Sequence, residues 1–200
     1  SGRIRQGGLE RDYFSEGPVF QPSTYNPADD MPDLTEIDRT AEGVTYALGN
    51  LLSLRIPADW KVLEPVIEDQ EIFAASAEET GGGSTSVSME LIEEVEGTAL
   101  DLAERKLAWF REQDEGVGAD EPTKFTLHEK GLLDAEHADI PYLQYRRFPR
   151  TTRITFYWVH EGRGYVLMCS SPDNRFEHWK PHFEAIAKSL RFLGGTSLKK

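Results

Sequence analysis

Residues Thr151–Ser171 read TTRITFYWVHEGRGYVLMCSS. Two runs of alternating β-branched and aromatic residues meet at Glu161–Gly162, with Gly164 just beyond, and this pattern signals a β-hairpin. In the first run Ile154, Phe156 and Trp158 share one face, while Thr155, Tyr157 and Val159 share the other. In the second, Tyr165, Leu167 and Cys169 alternate with Val166 and Met168. Both faces are largely apolar, so the hairpin is expected in the middle of a sheet with a layer packed on each side.

Toward the C-terminus, Phe183, Ile186, Ala187 and Leu190 recur at i, i+3, i+4 and i+7, which predicts a helix closed by Gly194-Gly195. Upstream of the hairpin, Lys124–Leu133 and Tyr142–Phe148 are predicted strands separated by Asp134–Pro141. Before them, Thr98 and Asp101 form a capping box that opens a second helix. Its core stripe is Ala103, Leu107 and Phe110, and it stops before Gly116-Val-Gly118. Glu71–Ser76 and Ser84–Ile92 are earlier strands joined by the loop at Gly81–Gly83. In the latter Val87, Met89 and Leu91 point to a core, and Ser86, Ser88 and Glu90 are expected on a wet face. Val44–Leu48 and Leu51–Ile56 flank a turn at Gly49-Asn50. Pro57 ends that strand, and Trp60 is expected to fold back as a core plug.

The order strands, helix, strands, helix predicts an α+β fold: an antiparallel sheet of about six or more strands with two main helices packed on it. Strands and helices do not alternate one by one, which excludes a doubly wound α/β fold. Residues 41–194 form this domain, residues 1–40 an irregular arm, and 195–200 a tail. The arm is rich in Gly, Pro, Asp, Ser and Asn and shows no sustained period. Its isolated aromatics Tyr13, Phe14, Phe20 and Tyr25 are candidate anchors, to the domain itself or to a partner.

Thirty-five acidic residues against 22 basic ones give a net charge of −13. With no Lys/Arg cluster to offset it, this argues against nucleic acid or an anionic membrane surface as main partner and suits a basic protein. No apolar run approaches the ~20 residues of a membrane span. Cys169 is alone, which rules out an internal disulfide and a multi-cysteine zinc site, and its strand position predicts a buried thiol. The Ser-Gly start carries no signal-peptide pattern, and a removed leader or lipid anchor leaves cytoplasmic and extracytoplasmic locations both open.

No pattern carries chemistry. His178 and His182 have the H-x3-H spacing of helical metal ligands, but Pro181 between them predicts a helix that starts near the proline, leaving His178 in the lead-in loop. His128, His137 and His160 would need Ser170 or Ser171 and a carboxylate for a hydrolytic triad, and the nucleophile-elbow motif is absent. The acids at Glu78-Glu79, at Glu93-Glu94 with Glu96, and at Asp134, Glu136 and Asp139 fall at strand ends and turns, where they read as solvated or as a docking surface. Of Trp60, Trp109, Trp158 and Trp179, core packing is the expected use. No metal, cofactor or catalytic residue is assigned.

Several stretches resemble the PsbP-like superfamily. Ile56-Pro57-Ala58-Asp59-Trp60 is similar to its strand–Pro–Trp opening, and Leu132–Tyr145 to its strand–small turn–strand unit. Thr155–Ser170 looks like its long hairpin, and Phe183–Phe192, FEAIAKSLRF, like its closing helix. This superfamily groups Mog-one, PsbP, DcrB and LpqN types with Eag-type chaperones; the resemblance covers residues 44–193. It implies a non-enzymatic, bacterial accessory, chaperone or adaptor that binds another protein, including a basic one or a hydrophobic helix, and an extracytoplasmic lipoprotein role fits equally. The alternative is a small-molecule or lipid carrier with an apolar pocket between sheet and helix. Neither the partner nor the oligomeric state is readable.

Overall fold

The computed structural model describes residues 31–78, 83–116, 125–147 and 150–194. Along them run β1 (Leu34–Arg39), β2 (Val44–Leu48), β3 (Leu52–Ile56), β4 (Lys61–Leu63), β5 (Glu71–Ala77) and β6 (Thr85–Ile92). There follow α1 (Ala99–Gly116), β7 (Phe125–Leu133), β8 (Ile140–Arg147), β9 (Thr151–His160), β10 (Arg163–Pro172), α2 (Phe176–Ser189) and β11 (Arg191–Phe192). The fold is α+β, with one seven-stranded antiparallel sheet in the order β4-β5-β6-β10-β9-β8-β7. A smaller sheet, β1-β2-β3-β11, splits off from it, a division that strand signals alone did not carry.

The β9–β10 hairpin lies mid-sheet, and its register runs unbroken from Arg163↔His160 to Pro172↔Thr151. Glu161 and Gly162 both take positive φ, 51° and 74°, as the two central residues of a type I′ turn require. The two faces pack against different layers. Ile154, Phe156, Tyr165, Leu167 and Cys169 join Leu52, Leu54, Phe183 and Ile186 in one core, between the large sheet, β3 and α2. Tyr157 and Val166 join Leu102, Ala103, Leu107 and Phe110 of α1 in the other. Each of the large side chains buried here contributes about 1.5–3 kcal/mol. Trp60 is the expected plug, edge-on to Trp179 at 5.6 Å.

α1 begins with the reciprocal capping box. The Thr98 N–H donates to Asp101 Oδ2 at 2.8 Å, and the Asp101 N–H to Thr98 Oγ1 at 3.1 Å. That backbone donor holds the Asp101 carboxyl below its ordinary value. At the other end of the chain, Ser189 ties α2 to β3 by accepting the Arg55 N–H at 2.8 Å and donating to Ile186 O at 2.6 Å. The chain then adds β11 to the small sheet beside Leu52 and Ser53.

Five expectations need correction. Ser88 and Glu90 are buried, so that face of β6 is not wet; Glu90 stands opposite Glu71 of β5. β8 begins at Ile140, before Pro141 rather than after it. The β2–β3 connection is three residues, Gly49 to Leu51, because the ladder closes on Leu48↔Leu52. α2 begins at Phe176 and contains Pro181. Burial of Phe176 and Phe183 on one helix face outweighs the proline's missing N–H, so the helix runs through it. Finally, Leu34–Arg39 is a strand paired with β2, although this stretch reads as irregular arm in the sequence. Residues 1–30, with Tyr13, Phe14, Phe20 and Tyr25, lie outside the described residues.

Candidate functional site

β8 and β9 pair from Arg147↔Thr151 up to Tyr142↔Phe156. β8 itself starts at Ile140, which this register sets opposite Trp158, so among the described residues only Val159 and His160, at the end of β9, run past the start of β8. Of these two, Val159 turns its N–H and C=O away from β10, since His160 and Arg163 form the hydrogen-bonded pair that closes the hairpin. The turn between β7 and β8 lines a groove of about 460 Å³ here. Trp158, Val159, Ile140, Leu190 and Phe192 give it an apolar lining; Glu136, Asp139, Lys188 and Arg191 bring charge.

Packing shapes this groove. Phe192 of β11 stacks flat on His160 with ring centroids 4.2 Å apart, and meets Tyr165 at 5.1 Å. Arg191 reaches across to Glu136 Oε2 at 3.2 Å, linking the β7–β8 turn to the end of α2. The same guanidinium donates to the carbonyls of Lys188 and Leu190 at 2.7 and 2.8 Å, satisfying the C-terminal end of α2. The groove is therefore bordered by fixed side chains on both walls.

A second cluster lies under α1. Lys106 is 3% exposed, with Nζ 4.3 Å from the Trp109 ring centroid and 5.2 Å from that of Phe110. Burial pushes its ammonium down to about 7, opposed by the Glu90 carboxylate beneath it. Tyr145 and Tyr157, from the neighbouring strands, have hydroxyls held well above their ordinary value by burial. Lys106 fills the i+3 slot of the Ala103, Leu107, Phe110 stripe, the one sequence signal that could have marked it. Lys106, Glu90, Tyr145 and Tyr157 are all buried.

Among the described residues, the others weighed in the sequence do not converge. His160 lies at the turn end of the hairpin, and Ser170 and Ser171 at the far end, roughly 25 Å along the strands. Ser171 is fully buried and donates to Pro172 O at 3.3 Å. Glu93 is paired with Arg163 at 3.1 Å, and Glu136 with Arg191. Burial raises the Cys169 thiol well above its ordinary value and leaves it inert. Tyr142 donates to Glu129, whose other oxygen is 3.7 Å from Lys180; burial, with Glu129 adding to it, raises the phenol to about 12. The Gly-rich loop falls largely outside the described residues.

No protein-family model and no curated protein matches the chain. Among solved structures it is similar to cyanobacterial PsbP (CyanoP) from Synechocystis sp. PCC 6803. That match has 15% identity over 88% of this chain and 99% of the other, with a TM-score of 0.48. It is similar to LpqN of Mycobacterium tuberculosis, a protein involved in cell envelope biogenesis, at 10% identity over 88% and 99% with a TM-score of 0.47. A Pseudomonas aeruginosa protein of unknown function, PA94, matches at 16% identity over 74% and 95%, with a TM-score of 0.44.

Proposed function

We propose that the chain is a non-catalytic, PsbP-like protein-binding module, an accessory or chaperone/adaptor domain that takes up an extended segment of a partner protein beside β9. The observation that carries this reading is the end of β9, Val159 and His160, which runs past the start of β8 among the described residues and opens onto an apolar groove. A segment laid there continues the ladder through main-chain hydrogen bonds, while its alternate side chains enter the groove. The net charge of −13 favours a basic partner, while the groove itself balances Glu136 and Asp139 against Lys188 and Arg191. A second reading, carriage of an apolar small molecule, draws on the same volume, which exceeds the ~300 Å³ lower bound of ligand sites. The open side of β9 favours the peptide.

The test is selection of short random peptides on the full chain, followed by titration against the wild type and Ala138→Arg. Ala138 is exposed on the groove wall, so the substitution alters the groove without entering a core. Basic, β-prone peptides that lose at least tenfold in affinity on Ala138→Arg are expected. Equal affinity for both proteins contradicts the reading. A co-purifying apolar molecule in native mass spectrometry, with no peptide selected, moves the site to ligand carriage.

A further inference from the structure

Because α2 runs straight through Pro181, His178 and His182 sit one turn apart on the same helix. Their ring centroids are 5.7 Å apart. Two imidazoles gripping one ion at the ~2.1 Å Zn–N distance stand with centroids roughly 5 Å apart, within a small side-chain rotation of this arrangement. Both histidines are exposed, so a cation reaches them without opening the fold. The opposite face of the helix is fixed by Phe176, Phe183 and Ile186, all buried, so the backbone carrying the pair is already held. Trp179 touches both rings, at 5.0 Å from His178 and 5.2 Å from His182, and is itself braced by Trp60.

We propose that His178 and His182 form a chelating site for a divalent transition cation of the Cu(II)–Zn(II) class. The donor set selects that class, since paired neutral imidazoles suit Cu, Ni and Zn and not the oxygen-seeking Mg and Ca. No third His, Cys, Asp or Glu among the described residues gathers with them. Water or a donor from a second molecule therefore completes the shell, and the bound ion stays open on its solvent side. Of the class, Cu(II) binds tightest. The site is independent of the groove at β9.

Cu(II) chloride is titrated into the full chain in a non-coordinating buffer, with tryptophan fluorescence and electron paramagnetic resonance as readouts. One Cu(II) per chain is expected, quenching Trp179 and showing nitrogen coupling from two imidazoles. His178→Gln and His182→Gln, each a change at an exposed position, are expected to weaken binding at least tenfold and to lose the two-nitrogen signature. His137→Gln, on the β7–β8 turn, is expected to bind as the wild type does. Unchanged affinity in both helix variants, or a copper signal without two imidazole nitrogens, overturns the proposal.

Discussion

Lys106 shows how one residue sets a pH response. Its ammonium has an ordinary value of 10.5 and is pushed down to about 7 where α1 meets the sheet, burial being the larger cause and Glu90 opposing it. Between those two values the folded chain has released a proton that the unfolded chain still holds. Stability therefore climbs as pH rises from about 7 toward 10, by up to about 1.4 kcal/mol per pH unit. Below pH 7 the folded state carries the cost of the buried charge in full. Lys106→Met removes the titrating group, so urea denaturation across pH 6–10 should show this rise in the wild type and its loss in the variant. The same slope in both would assign it to another group. The residue was legible only in hindsight: its place in the stripe is helical geometry, but its type argues for solvent until Glu90 is known to lie beneath it. Glu90 was misread for the complementary reason, because alternation reports which residues share a face and not what covers that face.

Among the elements, α1 and the hairpin were legible because their signals are local. The capping box, the helical stripe and the Glu161–Gly162 turn each lie within a few residues. α2 was misread at its start because the signal there is divided. Pro181 argues locally for a late start, while Phe176 and Phe183 favour an earlier one through burial that no local rule reports. How closely α1 approaches the sheet turns on Gly164 of β10. A Cβ built there would lie 2.9 Å from Val95 Cγ2 and 3.1 Å from Leu102 Cδ2. Gly164→Val should therefore push α1 off the sheet and lower stability by about 1–3 kcal/mol, the usual cost of overfilling a packed core. A denaturation midpoint unchanged from wild type would mean that the α1 layer is loose. The closing pattern of FEAIAKSLRF also acquires physical content: Phe183 and Ile186 pack the core, Ser189 fastens α2 to β3, and Phe192 forms a wall of the groove.

At the scale of the whole molecule, eight of the eleven strands among the described residues and the strand–helix order were legible, whereas β1, β4, β11, the division into two sheets and the groove were not. A period of two identifies a strand and its faces; it does not identify its neighbours. The smaller sheet gains its last strand because β11 returns from the far end of the chain to pair with β3, setting Phe192 beside Leu52, which no local pattern encodes. The groove depends on an offset between neighbours: β8 begins at Ile140 while β9 runs on to His160. Each strand could be read in isolation, but their relative register could not. That offset is also the basis of the functional reading, since it leaves strand edge open beside apolar side chains. Hydrogen–deuterium exchange of the full chain, with and without a saturating selected peptide, tests this most directly. The account predicts slowed exchange concentrated at Val159 and His160, with the rest of β9 unchanged; protection confined to another edge, with these amides exchanging as in the free chain, would contradict it.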